Sequence, residues 1–292
     1  LPPSIYPETQ RELMSGILGL QLHGVLISDL LGDFEYEITA GTMELDDTNV
    51  ADLFITDGSD RALGLLGFEP QSSAAVDGLD ANMMHIVAGS LGWYTPLEGL
   101  RLALSFQSGR SRFFNYTTYR GVRQGELTAA TLNTTTFYSQ PWSAILSGEY
   151  LWQDLTISAE FWVQKITTHV VSEPPDPAVS MLPLVDIRSE SRTKAGYGQL
   201  AYRFTDWLQG AVSYSVLRQT RYRAGEALPE RDDGSDRRDA LSLSLRVDPL
   251  PGFLVKFQAE FNEGVSGVRA HMNKQGIEES WQMYAARVGF YF

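Results

Sequence analysis

The sequence predicts an all-β chain, an antiparallel transmembrane β-barrel, and three observations predict it. Apolar and polar residues alternate with period two in segment after segment. Connections between those segments are short and long in turn. No apolar run is long enough for a membrane helix: the best, from Ile17 to Leu31, is broken by Gln21, His23 and Asp29, where a helix needs about 18 uninterrupted apolar residues. A β-barrel shows lipid only every second side chain, so a chain of 292 residues that is 43% hydrophobic and 20% charged suits one.

The alternation is plainest at the C-terminus. Tyr284, Ala286, Val288, Phe290 and Phe292 fall on one strand face, and Ala285, Arg287, Gly289 and Tyr291 on the other. Phe253, Val255, Phe257, Ala259 and Phe261 alternate with Leu254, Lys256, Gln258, Glu260 and Asn262. Leu241, Leu243, Leu245 and Val247 alternate with Ser242, Ser244, Arg246 and Asp248, and Leu100, Leu102, Leu104 and Phe106 with Arg101, Ala103, Ser105 and Gln107. This reading gives eleven strands at about 16–28, 33–45, 82–94, 99–109, 136–150, 154–168, 194–204, 207–220, 239–248, 253–263 and 280–292. Each meets the roughly 9–11 residues that a tilted strand needs to cross hydrocarbon.

Short turns are expected at Leu30-Leu31-Gly32, Thr95-Pro96-Leu97-Glu98, Leu151-Trp152-Gln153, Thr205-Asp206 and Pro249-Leu250-Pro251-Gly252. Long extracellular loops are expected at about 46–81, 110–135, 169–193, 221–238 and 264–279 of a single domain spanning 1–292. Short periplasmic turns alternating with long outer loops are the membrane-barrel pattern. Trp93, Tyr94, Tyr150, Trp152, Phe204 and Trp207 sit beside the short turns, where an interfacial girdle belongs. Bacterial single-chain barrels have even strand numbers, and with eleven strands the segment 16–28 runs in the same direction as the last. The expectation is therefore a C-terminal portion of a longer chain, with N-terminal strands missing.

Composition excludes several function classes. There is no cysteine, hence no disulfide framework, thiolate metal site, cysteine nucleophile or haem-attachment motif. A net charge of −13 argues against nucleic acid as a partner. The four histidines, His23, His85, His169 and His271, have no metal-ligand spacing. Asp46-Asp47, Asp57-Gly58-Ser59-Asp60 and Asp232-Asp233-Gly234-Ser235-Asp236 carry carboxylates of the kind that hold calcium, but lack the spacing of a calcium loop, and read as solvated acidic loops. No metal and no cofactor is expected. Asn115-Tyr116-Thr117 and Asn133-Thr134-Thr135 match the glycosylation sequon, with little weight in a bacterial surface protein.

With lipid against the apolar face, the lumen receives Glu35, Glu37, Arg101, Glu149, Glu160, Arg203, Arg246, Asp248, Lys256, Glu260 and Arg287, together with His23. Opposed charges on such a wall set a transverse field that favours polar solutes, while salt bridges that stiffen the barrel are the plainer use of the same residues. An outer-membrane hydrolase would need serine and histidine together on the outer wall. Ser105, Ser158, Ser213, Ser242 and Ser244 face inward instead, so no catalytic residues are expected.

Leu1-Pro2-Pro3-Ser4-Ile5-Tyr6, followed by Gly19-Leu20-Gln21-Leu22-His23-Gly24, resembles the phosphate-selective porin O and P type of outer-membrane protein. Further similarity lies in Gly148-Glu149-Tyr150, in Ser158-Ala159-Glu160-Phe161-Trp162, and in Tyr197-Gly198-Gln199-Leu200-Ala201-Tyr202-Arg203-Phe204. The terminal Phe292 resembles the end signal of outer-membrane barrels. The resemblance implies a barrel of about sixteen strands, often a homotrimer, in the bacterial outer membrane, passing small polar solutes and bounded by membrane lipid and lipopolysaccharide. It does not extend to anion selectivity: of Lys165, Lys194, Lys256 and Lys274, only Lys256 clearly points inward. The expected function is a porin. The alternative is a barrel that sheathes or scaffolds a second subunit in an electron-transfer or secretion conduit.

Overall fold

The computed structural model describes residues 17–44, 73–123, 126–173, 185–223, 225–229, 234–266 and 278–290. They form one antiparallel sheet of twelve strands: β1 (Leu18–Leu26), β2 (Asp33–Glu44), β3 (Ser73–Tyr94), β4 (Leu100–Arg123), β5 (Glu126–Trp152), β6 (Leu155–Glu173), β7 (Val185–Thr205), β8 (Leu208–Arg223), β9 (Glu226–Ala227), β10 (Arg237–Leu250), β11 (Phe253–Glu263) and β12 (Ser280–Phe290). Each strand pairs with its sequence neighbour in a meander, except that β10 pairs with β8 and the two-residue β9 folds back on β8. The order runs linearly from β1 to β12, and among the described residues no pairing joins these two ends.

The tight turns lie at one end of the sheet. Gly32 (φ 80°) and Gly252 (φ 78°) take left-handed backbone that a side chain would strain. Ser28 closes the first turn: its carbonyl accepts from Gly32 N at 2.9 Å, and its hydroxyl from Leu31 N at 3.1 Å. Gln153, at φ 52°, is the one described non-glycine residue with positive φ, in the tight β5–β6 turn.

At the other end the strands outrun the sequence reading. Of the region 110–135, expected as a long loop, 110–123 and 126–135 are instead the continuation of β4 and β5, paired from Ser111↔Ser139 to Arg123↔Glu126. Its residues explain this. Phe113, Phe114, Tyr116, Thr117, Thr118 and Tyr119, then Thr131, Thr134, Thr135 and Thr136, are the aromatic and β-branched types that suit a pleated surface. Polarity alone does not end a strand built from residues of these types. For the same reason β3 begins at Ser73, β6 runs to Glu173 and β7 begins at Val185, inside the expected loops 46–81 and 169–193. Segment 221–238 likewise contains the end of β8, all of β9 and the start of β10. Residues 45–72 and 174–184 lie outside the described residues, as do Leu1–Tyr6 and Phe292, which carried part of the resemblance.

Candidate functional site

Pairing registers fix the two faces of the sheet without reference to composition. One row reads Phe34↔Trp93↔Leu102↔Gly148↔Ala159↔Gly198↔Tyr214↔Leu241↔Phe261 across β2 to β11. The row one residue away, on the opposite face, reads Glu35↔Gly92↔Ala103↔Ser147↔Glu160↔Tyr197↔Ser215↔Ala240↔Asn262↔Trp281. Along these rows one face is built of apolar, aromatic and small residues, and the other is mixed and polar.

On the apolar face burial runs opposite to that of a water-soluble protein, while the polar face encloses some charged residues and leaves others, among them Glu35, Arg203 and Lys256, exposed. On the apolar face Leu20 is 83% exposed, Phe257 51% and Tyr284 69%; on the polar face Glu260 is 1% exposed and Arg238 5%. A contiguous exposed apolar surface of this extent marks contact with something other than water.

Of the twelve side chains expected on the inner wall, all but Asp248, which lies past the register shift after Val247, share the polar face by register, and the fold brings them together in two groups. Acidic residues collect on β2, β5 and β6. Glu35 and Glu37 lie with His23 and Arg101 around a cavity of about 430 Å³. There Arg101 meets Glu35 at 3.8 Å and lies over the Tyr94 ring at 4.8 Å, while the Tyr94 hydroxyl donates to Glu35 at 3.4 Å. Among the described residues Glu149 stands in register with Arg101 and Ser158 without an ion pair, and Glu160 lies between Ser147 and Tyr197 with Oε1 unpartnered.

Basic residues collect on β7 to β12. Arg203, Gln209, Arg246, Lys256 and Arg287 follow one another in a single register row over five strands. Arg246 pairs with Asp248 at 2.9 Å, and Arg203, Lys256 and Arg287 make no ion pair among the described residues. Glu260 takes no part in this row. Its Oε1 accepts from Arg238 at 2.8 Å, and Arg238 also donates to Asn262 at 2.9 Å and lies over the Trp281 ring at 4.8 Å.

Sequence reasoning missed Arg238 because it placed that residue in a loop; carrying the phase of β10 two residues further puts it on the polar face. It also missed that Trp162, Ala195 and Leu217 form a buried apolar cluster there, flanked by Ile145 and Tyr197. Tyr94, expected in an aromatic girdle, turns to the polar face beside Arg101. Trp93 keeps the apolar face, stacked on Phe34 at 5.8 Å and donating to Leu31 O at 2.7 Å.

Of the histidines, His169 contacts Asp186 at 2.8 Å, while His271 and Lys274 lie outside the described residues. So do Asp46, Asp47, Asp57, Asp60, Asp232 and Asp233. Among the described residues no group of His, Asp and Glu is arranged to hold a metal ion.

No family model matches the chain, and no curated protein matches it in sequence. Several solved structures follow a similar chain path. In vitro folded OmpT, an outer membrane protein of Vibrio cholerae, aligns at 10% identity over 95% of this chain and 90% of its own, with a TM-score of 0.39. The translocator domain of the autotransporter NalP from Neisseria meningitidis aligns at 11% identity over 98% and 92%, with a TM-score of 0.37. The Pseudomonas putida toluene transporter TodX aligns at 10% identity over 89% and 87%, with a TM-score of 0.29. The structures that resemble this chain are thus outer-membrane β-barrel proteins of bacteria, and their side chains share little with it.

Proposed function

We propose that this chain is a porin of the bacterial outer membrane, non-enzymatic, whose apolar face meets lipid and whose polar face lines a path for passive diffusion of small hydrophilic solutes and ions. The observation that carries this reading is the inverted burial. Leucines, phenylalanines and tyrosines are presented outward along the strands, and charged residues inward. In hydrocarbon the backbone edges of β1 and β12 cannot stay unpaired, since each unsatisfied group costs several kcal/mol. Alternation along eleven long strands makes β1 and β12 run in the same direction. Further strands, about sixteen in all on the resemblance, close the sheet between them.

Glu37, Glu149 and Glu160 on one side of the path oppose Arg203, Lys256 and Arg287 on the other. The resulting field orients polar solutes without committing the pore to one sign of charge.

A second reading, a barrel that sheathes or scaffolds another subunit, gains from the Trp162–Ala195–Leu217 cluster, which gives the polar face an apolar patch of its own. Planar-bilayer recording separates the two. The porin reading expects stepwise ohmic conductance from the full chain. A silent bilayer, with insertion confirmed by protease protection, overturns it in favour of the sheath.

A further inference from the structure

The outer end of the apolar face carries cations at a constant level. Counting from the short-turn end, the face is uncharged from Leu100 to Ser108 on β4, Leu155 to Val163 on β6, Phe204 to Gly196 on β7 and Leu208 to Val216 on β8. The next outward residue on these strands is Arg110, Lys165, Lys194 and Arg218 respectively. On β10 the level holds Arg237, one outward position beyond Asp239. Each run covers about ten residues, which at roughly 3.3 Å per residue and a tilt near 40° rises about 25 Å, the height of a barrel's apolar band.

The cations are neighbours. Lys194, Arg218 and Arg237 stand in one register row on three adjacent strands. One row further out, Trp142, Lys165 and Arg192 stand side by side. Four carboxylates stand among these five cations: Glu263, in register with Asp239 on the same face, makes no ion pair among the described residues, and the other three answer the cations directly. Glu190 takes Lys165 at 2.8 Å and Arg192 at 2.6 Å, Asp239 takes Arg218 at 2.7 Å, and Glu279 takes Arg237 at 3.2 Å. The hydrogen bond from Lys165, with that from Arg192, holds the Glu190 carboxyl below the usual carboxylate range, so it stays charged. Lys194 is exposed and has no ion-pair partner among the described residues. Arg192 also lies over the Tyr222 ring at 4.6 Å, which fixes its guanidinium at the surface.

Two features separate this belt from ordinary interfacial anchoring. The chain as a whole carries −13, yet the belt is net positive. The short-turn end of the same face has no counterpart: its turns carry Asp29, Glu98, Asp154 and Asp206 and no lysine or arginine. Cations that merely reached for water would serve both ends alike. Cations at the outer end alone match a bilayer whose outer leaflet is the more densely anionic one.

We propose that Lys194, Arg218 and Arg237, with Lys165 and Arg192 beside them, form a binding site for the phosphate groups of lipopolysaccharide in the outer leaflet. This rests on the membrane reading above.

The test titrates the folded full chain in neutral detergent with fluorescent lipid A bearing its phosphates and with the same lipid A dephosphorylated, alongside the Lys194→Glu and Lys165→Gln/Lys194→Gln variants. The phosphorylated lipid should bind about tenfold more tightly than the dephosphorylated one, and each lost cation should weaken it by about fivefold. Equal affinity for the two lipids, or variants equal to wild type, overturns the proposal. Flotation of the wild type with neutral phosphatidylcholine vesicles tells the two failures apart. Insertion without phosphate preference removes this site alone, and failure to insert removes the site and the membrane reading together.

Discussion

Strand β10 presents two surfaces one residue apart. Leu241, Leu243 and Leu245 are 40–46% exposed, and Ser242, Ser244 and Arg246 on the other side are partly buried. The same contrast recurs on β11, where Phe257 stands out and Glu260 is enclosed against Arg238. The polarity of a side chain therefore does not decide whether it is covered; the medium on each side of the sheet does. On the proposed membrane reading hydrocarbon lies outside, and leucine is at home where it is exposed. With polar partners inside, a carboxylate and a guanidinium can be enclosed together.

The largest expected effect falls on the enclosed pair. Glu260→Ala leaves Arg238 charged, with only Asn262 and the Trp281 ring for company, and should cost about 3–5 kcal/mol in urea unfolding from micelles. The double change Arg238→Met/Glu260→Leu should recover most of that loss, because removing both charges avoids the uncompensated one. A Glu260→Ala protein as stable as wild type would mean that the polar face is open to water at this level.

Next comes a direct contrast across the sheet. Leu243→Arg, near the middle of the apolar span, should destabilise by about 2–4 kcal/mol, whereas Ser242→Arg, beside Ser213 and Glu260, should stay within about 1 kcal/mol. Comparable losses at both positions in lipid vesicles would erase the distinction between the faces.

Much of this was legible in the sequence, because alternation with period two is a property of the strand itself. That Ser242 and Glu260, or Arg246 and Lys256, share a face follows once each strand's phase is known. The placement of Glu35, Glu37, Arg101, Glu149, Glu160, Arg203, Arg246, Lys256, Glu260 and Arg287 on one face follows in the same way. Strand length was not legible. Beyond the apolar band the alternation fades, and residues such as Thr117, Thr134 and Thr135 look like loop while pairing as strand. Partner choice was not legible either: phase puts Arg238 and Glu260 on one face, but only the register brings them to 2.8 Å. The basic belt was hidden for a related reason, since Lys165 and Lys194 are far apart in sequence and neighbours only through the β6–β7 pairing.

Lipid over one face and water at the other are what the proposed function requires of this sheet. With no native cysteine in the chain, single cysteines can be read without background. Cysteine in place of Arg246 or Gln258, and of Leu243 or Phe257, in the full chain reconstituted in lipid vesicles, should be challenged with a membrane-impermeant thiol reagent. Modification at Arg246 and Gln258 with protection at Leu243 and Phe257 is the result expected. The reverse pattern would contradict it.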